Sequence, residues 1–340
     1  MEPVRVALLG ASGYTGAEFL RLARLHPALR LTRLCAESKA GQSLDEVLPP
    51  FFGSDLPPLV KFDADDVSSV ADFAVLGLPH GTAQDAAAAL LARGVRVVDM
   101  SADHRFESPE VFARIYGTHR HPASLAETVY GLPELNRERI RQSRLVGCAG
   151  CYPTSVILAA TPAREAGLLA TDELIADSKS GVSGAGRNPG AGTHFPETSE
   201  GLHAYKTFDH RHAPEMSVAL GGLKVRFTPH LVPMNRGILS CVYLRLKPGI
   251  DLAQVREVYA ARYAGERFVR LLPAGQHPDT RNVRGTNTCH LGLFVEDDLL
   301  CVQSVIDNLT KGAAGQALQC LNLMAGLPES LGLEQTALFP

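Results

Sequence analysis

A cysteine at the start of a predicted helix is the clearest candidate for chemistry in this chain. Cys151 follows Gly150, and Pro153 stands two residues after it. Because proline is favoured in the first turn of a helix, Pro153 predicts that a helix begins here. A thiol in that position faces unpaired N–H groups and the positive end of the helix dipole, which lower its pKa and favour the thiolate. The segment therefore predicts that Cys151 is a nucleophile that attacks a carbonyl carbon. The alternative is that Cys151 is a buried structural cysteine.

Two histidines are the next candidates. His210 and His212 flank Arg211 in a polar stretch that we predict to be a loop. A neutral imidazole near a thiol can take its proton and later return it, so either histidine is a candidate general acid/base. The alternatives are ordinary surface or core histidines, or a zinc site that lacks an obvious third ligand.

A glycine-rich turn follows the first predicted strand, Val4–Leu9, and precedes a helical pattern. Its G-x-x-G-x-x-G spacing lets backbone N–H groups approach a pyrophosphate at the helix N-terminus. The turn therefore predicts dinucleotide binding, and a tight turn without phosphate is the alternative. The residues expected at the cofactor here are Gly10, Ser12, Gly13, Tyr14, Thr15 and Gly16.

Three residues after the second predicted strand bear on the choice of cofactor. An acidic residue at this point, here Glu37, usually binds the ribose hydroxyls of NAD. Ser38 and Lys39 suit the extra phosphate of NADP if Glu37 turns away. The sequence favours NADP(H).

Two further polar segments lie where ligands are expected. Arg105 follows a strand end and can clamp a carboxylate or phosphate, unless it forms a surface ion pair with Asp103. The glycine-rich segment 180–187 can wrap a phosphate or cofactor amide, or be a flexible loop.

Composition excludes several classes of function. The 340-residue chain has a net charge of −3, which argues against nucleic acid as a partner. Seven scattered cysteines are typical of reduced thiols in a cytoplasmic protein, and we expect no signal peptide. Cys148-x-x-Cys151 could be a redox pair or half a zinc site, but no second pair follows, so we expect no metal. Residues 145–163 carry no charge but contain prolines and glycines, which predicts a buried segment and no membrane span.

The pattern of elements predicts an α/β fold. Strands and helices alternate up to about residue 150, which indicates a Rossmann-like, doubly wound parallel sheet. Within this part, Thr82 is expected to cap an alanine-rich helix. From about residue 152 the pattern predicts a second, α+β section with a mostly antiparallel sheet.

Several ordered motifs resemble those of the N-acetyl-γ-glutamyl-phosphate reductases of arginine biosynthesis. They cover nearly the whole chain, with two departures: Cys148-Ala149 where the family commonly has Asn-Pro, and His104 where it often has phenylalanine. The matching segments are residues 10–18, 78–81, 101–105, 130–134, 150–154, 180–187, 210–215, 236–238 and 307–313.

The resemblance implies a mechanism. Cys151 would attack a γ-acyl phosphate, NADPH would reduce the thioester to the semialdehyde, and His210 or, alternatively, His212 would act as the acid/base. It also implies a cofactor domain of residues 1–150 plus about 307–340, and a catalytic, oligomer-building domain of 151–306, in a dimer or tetramer. Further residues expected at the cofactor are Pro79, Ser183, Gly184 and Asn308, and those expected at the substrate are Arg105, Ser180 and Arg211.

Two other functions fit the same motifs. One is a related acyl-phosphate reductase, acting on aspartyl phosphate or on a carrier-linked aminoadipyl phosphate. The Tyr-Pro-Thr sequence after Cys151 favours the acetylglutamyl enzyme. The other is a non-catalytic nucleotide-sensing module, which would need no nucleophile.

Overall fold

The computed structural model describes residues 2–338. The chain divides into two compact units. Unit 1 comprises residues 2–149 and 313–334, and unit 2 comprises 150–312 and 335–338.

Unit 1 contains a parallel sheet with the strand order β3-β2-β1-β4-β5-β7-β6. The order reverses between β1 and β4, the kind of point outside which open α/β sheets bind ligands. The strands are β1 Val4–Leu9, β2 Leu29–Cys35, β3 Leu59–Val60, β4 Phe73–Leu76, β5 Arg96–Asp99, β6 Thr128–Gly131 and β7 Leu145–Cys148. The helices between them are α1 Tyr14–Ala23, α2 Leu44–Val47, α3 Ala64–Val70, α4 Ala83–Ala92, α5 Pro109–Tyr116, α6 Pro122–Glu127 and α7 Pro133–Gln142. The predicted Rossmann-like sheet is confirmed.

Unit 2 contains a mixed sheet with the order β12-β13-β14-β11-β8-β10-β9. The β8–β10 and β12–β13 pairs are parallel and the other four pairs are antiparallel, so the sheet is mostly antiparallel, as predicted. Its strands are β8 Leu169–Gly181, β9 His203–Ala204, β10 Lys224–Val232, β11 Ile238–Leu246, β12 Val269–Leu271, β13 Cys289–Glu296 and β14 Leu299–Ile306. Its helices are α8 Cys151–Glu165, α9 Phe195–Thr198, α10 His212–Ala219 and α11 Leu252–Tyr263.

The last helix, α12 Gly315–Met324, belongs to unit 1 and follows a π-helical turn, Thr310–Ala314. All its residues are buried, against α7 and α1 among others. The side chain of Asn322 lies 3.1 Å from Nε2 of His26. Burial on every side explains why this helix is rich in small and apolar residues.

Helix α8 explains the uncharged stretch. Residues 152–163 are all buried within the helix, which packs against β11, β14, α10 and α11. The Tyr259 hydroxyl donates to the carbonyl oxygen of Ala159, 2.6 Å away. The stretch 145–163 is thus a buried segment, as predicted, and it comprises strand β7 and most of helix α8. Across residues 2–338, no helix combines the length and apolar character needed to cross a bilayer.

The sequence predicted that the Thr82 side chain caps α4, and this prediction is wrong. Thr82 occupies the N-cap position of α4, but its hydroxyl donates to the carbonyl oxygen of Pro79 at 2.6 Å. The first N–H of the helix, on Ala83, donates to Asp103, whose carboxylate is fully buried. A carboxylate distant in sequence has replaced the local cap, because a charged acceptor binds helical N–H groups more strongly than a hydroxyl does.

The glycine turn of unit 1 depends on close backbone contacts. Gly10 has a φ of +81°, and a Cβ there would lie 2.2 Å from the carbonyl oxygen of Gly77. A Cβ on Gly16, inside α1, would lie 2.3 Å from the carbonyl oxygen of Gly10. A Cβ on Gly13 would meet the same oxygen at an ordinary 3.5 Å. Two of the three glycines are therefore required by packing alone.

We expect Gly16→Ala to lower the free energy of unfolding by about 2 kcal/mol, because the backbone around the new methyl must move. The matched variant Gly13→Ala should cost about 1 kcal/mol or less, since it changes a helix cap without a clash. Urea titrations of the cofactor-free protein, followed by circular dichroism, measure both. Equal losses in the two variants would contradict the packing explanation.

Candidate functional site

The N-terminus of α1 is the candidate pyrophosphate site of unit 1. Its N-cap is Gly13, which has no side chain to cap the helix, and no acidic residue lies in the first turn. The first N–H groups of a helix lack intrahelical acceptors and attract anions. The turn at Gly10 lies so close to the backbone of Gly77 that a Cβ on Gly10 would collide with it. These features fit a dinucleotide phosphate.

The residues after β2 form a short 3-10 turn, Glu37–Lys39, which is mostly exposed. An Oε1 atom of Glu37 accepts a hydrogen bond from the N–H of Phe62 at 3.0 Å. The carboxylate is thus already engaged by the backbone, while Ser38 and Lys39 remain at the surface.

Two buried carboxylates, Asp103 and Asp99, lie at the carboxyl end of the unit 1 sheet, and Asp103 has the larger set of backbone partners. The buried carboxylate of Asp103 accepts the N–H groups of Gly81 and Ala83, and Nδ1 of His80 lies 2.6 Å from it. His80 and Asp103 lie in two separate family-like segments, 78–81 and 101–105, and the sequence did not indicate that they form a pair. His80 stays about 30% exposed, so Asp103 orients an imidazole next to Pro79.

The unusual His104 has a specific partner. Its Nδ1 lies 2.6 Å from Oδ2 of Asp99, and both side chains are fully buried. The same carboxylate accepts the hydroxyl and N–H of Ser101. A polar side chain in an apolar position is costly unless it is hydrogen-bonded, and Asp99 supplies that bond.

Arg105, the predicted substrate clamp, is bound to main-chain oxygens. Its guanidinium donates to the carbonyl oxygens of Cys148 at 2.9 Å and Met100 at 3.2 Å. Asp103 is instead bound by His80 and by the N–H groups of the nearby backbone. The structure therefore places His80, and not Arg105, beside Asp103. A role for Arg105 at the substrate stays a prediction.

In unit 2, Cys151 is the first residue of α8, where Pro153 predicted a helix start. The N-cap is Gly150, whose N–H donates to Oε1 of Glu215 at 2.8 Å. Glu215 is 1% exposed and therefore fixes the backbone immediately before the thiol. The sequence missed this carboxylate, although it stands in the quoted segment 210–215.

His210 lies in an aromatic environment within unit 2. Its ring makes edge contacts with Tyr152, Tyr205 and Phe227, at centroid distances of 5.9, 5.6 and 5.4 Å. Burial raises the pKa of Tyr205, and the neighbouring charge of Cys151 raises this pKa further. Cys151 and His210 therefore both lie close to Tyr205.

The protonation of His210 follows from its contacts. Burial, together with the positive charges of Arg211 and Lys206, lowers its pKa to about 4. Its Nδ1 accepts a hydrogen bond from the N–H of His212 at 3.1 Å. His210 is therefore neutral at pH 7, with its proton on Nε2.

His212 does not lie in a loop, as predicted, but begins helix α10. Arg211 is the N-cap residue of that helix. The helix packs against α8, which holds the His212 ring 6.0 Å from that of Tyr152.

A second group of predicted residues meets beside the end of β8. The side-chain amide of Asn308 donates to Oγ of Ser183 at 3.0 Å and accepts from the N–H of Gly237 at 2.8 Å. A Cβ on Gly184 would lie 3.3 Å from Oγ of Ser180. Within the segment 180–187, residues 180–181 end strand β8 and residues 182–185 form a 3-10 turn. The cofactor and substrate roles of these residues stay predictions.

The seven cysteines are free thiols, including the buried Cys148. Over the part of the chain that the structure describes, no three His, Cys, Asp or Glu residues are grouped to hold a metal ion.

Comparisons with known proteins agree with this fold. Residues 5–143 match a family model described as the NAD binding domain of semialdehyde dehydrogenase, and residues 151–308 match its dimerisation domain. The fold is similar to that of aspartate semialdehyde dehydrogenase II from Vibrio cholerae, with a TM-score of 0.74 and 17% identity over 96% of this chain and 99% of that one. It is also similar to the Candida albicans enzyme with NADP, with a TM-score of 0.72 and 17% identity over 95% and 99%.

Curated relatives are much more similar in sequence. The N-acetyl-gamma-glutamyl-phosphate reductase of Rhodospirillum rubrum is 48% identical over 100% of this chain and 99% of its own length. Those of Magnetococcus marinus and Geobacter metallireducens are 47% and 46% identical, each over 99% of this chain and over 99% and 100% of their own lengths. The chain belongs to the N-acetyl-γ-glutamyl-phosphate reductase family.

Proposed function

We propose that this protein reduces N-acetyl-γ-glutamyl phosphate to N-acetylglutamate 5-semialdehyde, the third step of arginine biosynthesis, with NADPH. The observation that carries the proposal is the position of Cys151 at the first residue of α8, in a chain that matches the reductases over its full length. The aspartate semialdehyde dehydrogenases that share the fold are only 15% to 19% identical to this chain. A nucleotide sensor would have no use for an activated thiol.

Cys151 is the nucleophile in this proposal. Its thiolate attacks the acyl carbon, the C–O bond to phosphate breaks, and a thioester forms. A nicotinamide cofactor, when bound, supplies the hydride that reduces this thioester. The resulting thiohemiacetal collapses to the aldehyde and returns the electron pair of the C–S bond to the Cys151 sulfur. N–H groups at the start of α8 stabilise the negative oxygen of the tetrahedral species.

In this proposal His210 acts as a hydrogen-bond donor to the reacting oxygen. With Nδ1 occupied by the His212 N–H, the Nε2–H is the group that can donate to a developing negative oxygen. The low pKa of His210 leaves it a poor base, so thiolate formation rests on the helix N-terminus of α8. Arg105, Ser180 and Arg211 are our candidates for the substrate.

NADP(H) is the proposed cofactor. Support comes from the engaged carboxylate of Glu37 and from the exposed Ser38 and Lys39, which can receive a 2′-phosphate. The glycine turn, Pro79, Ser183, Gly184 and Asn308 complete the proposed cofactor residues. We also propose the domain limits 1–150 plus about 307–340 and 151–306, a homodimer or homotetramer, and a cytoplasmic location that suits seven free thiols.

The reverse reaction tests substrate and cofactor together. We expect phosphate-dependent reduction of NADP with N-acetylglutamate semialdehyde, and at least about 10²-fold lower kcat/KM with aspartate semialdehyde, which lacks the acetyl group and one methylene. NAD serves as the matched cofactor control and should react more slowly. A preference for aspartate semialdehyde would overturn the substrate assignment.

Cys151→Ser should abolish aldehyde formation, because a neutral hydroxyl is a far weaker nucleophile than a thiolate. NADPH binding, measured by fluorescence titration, should be unchanged. Cys148→Ser is the matched control and should keep activity. Turnover near the wild-type rate in Cys151→Ser would refute the thioester mechanism.

His210→Asn should lower kcat by about 10²–10³-fold, the usual loss when one hydrogen-bond donor to a developing oxyanion is removed. Because the pKa of His210 is lowered to about 4, it stays neutral from pH 5.5 upward. The pH profile of kcat/KM between about pH 5.5 and 8 should therefore keep its shape in the variant. A larger loss in His212→Asn would move the assignment to His212.

A further inference from the structure

The turn at residues 307–312 is built around one buried carboxylate. Asp307 is fully buried and lies at the end of β14. Its Oδ1 accepts the N–H groups of Leu309 at 2.8 Å and Thr310 at 3.0 Å, and its Oδ2 accepts that of Gly285 at 2.7 Å. A carboxylate with three backbone donors holds the surrounding main chain rigidly.

Arg236 balances the charge of this carboxylate. Its Nε lies 3.1 Å from Oδ2 of Asp307, and its Nη2 donates to Oγ1 of Thr310 at 3.3 Å. A buried carboxylate would be very costly without such a partner. The pair therefore joins the start of β11 to the turn that follows β14.

The turn ends against the cysteine. The N–H of Gly312 donates to the carbonyl oxygen of Asp307 at 2.9 Å. A Cβ on Gly312 would lie 2.8 Å from Cβ of Cys151 and 3.1 Å from its Cα. The φ of Gly312 is outside the left-handed region. Glycine is therefore required here by the close contact with Cys151 and not by the backbone conformation.

We propose that Asp307 and Gly312 are positioning residues for Cys151: Asp307 fixes the turn, and Gly312 sets the place of the cysteine Cβ. This inference rests on the proposed function, in which Cys151 is the nucleophile. The backbone of Gly312 limits where Cβ can lie, and the sulfur follows Cβ. Since reacting atoms must be placed to within about 1 Å for full activity, a small shift of this turn reaches the chemistry.

Gly312→Ala is the main test. The new methyl must displace Cys151 by several tenths of an ångström, so kcat of the phosphate-dependent reverse reaction should fall by about 10–10²-fold. The KM for NADP should change less than about 3-fold, because the displacement acts on the thiol. Gly265→Ala is the matched control in the same unit, since a Cβ there meets nothing within 4 Å, and it should keep wild-type kcat. Unchanged kcat in folded Gly312→Ala would overturn the proposal.

Asp307→Asn provides a second, independent test. The amide keeps the shape but puts an N–H₂ group opposite a backbone donor, which loosens the turn. We expect a loss of about 10-fold in kcat, slower alkylation of Cys151 by iodoacetamide, and the same KM for NADP. A fall in NADP affinity with unchanged alkylation would show that Asp307 does not act through Cys151.

Failure of this inference can be told apart from failure of the proposed function. If Cys151→Ser is inactive while Gly312→Ala and Asp307→Asn keep full kcat, only the positioning role is wrong. If Cys151→Ser remains active, the nucleophile itself is wrong, and the positioning role falls with it.

Discussion

The start of helix α8 at Cys151 is the constraint on which the candidate chemistry depends. A thiol gains from a helix N-terminus only while it stays at the first turn, because the dipole effect falls off within that turn. The backbone at Gly150 is fixed by Glu215, and the N-terminal half of α8 is buried among the strands and helices of unit 2. The position of one residue thus rests on the packing of a whole unit.

This arrangement divides the chemical work between groups. Glu215 accepts the N–H of Gly150 at the N-cap of α8, so its contribution is geometric. His210 is kept neutral by burial and by Arg211, so it does not compete for the thiol proton. In the proposed mechanism, activation of Cys151 by the helix and hydrogen-bond donation by His210 then operate at the same pH, because neither group must change its charge to prepare the other.

The periodicity of the sequence predicted most of the fold. Strand β1 matches its apolar run, and the mixed sheet of unit 2 matches the alternation that follows residue 152. The errors are local: Thr82 does not cap α4 with its hydroxyl, and His212 begins a helix where a loop was expected. Each error arose because a residue distant in sequence decided the local structure, through Asp103 in one place and packing on α8 in the other.

The candidate site was predicted less completely, and its missing residues have one physical property in common. Asp103, Glu215 and Asp307 are buried carboxylates that each accept the N–H of a glycine, from Gly81, Gly150 and Gly285 respectively. These partners lie 22 or 65 residues apart in the chain, so no spacing rule connects them. The sequence contains 36 acidic residues, and nothing local distinguishes these three from solvated ones. Each carboxylate binds N–H groups that folding removes from water, and only the tertiary structure brings these partners together.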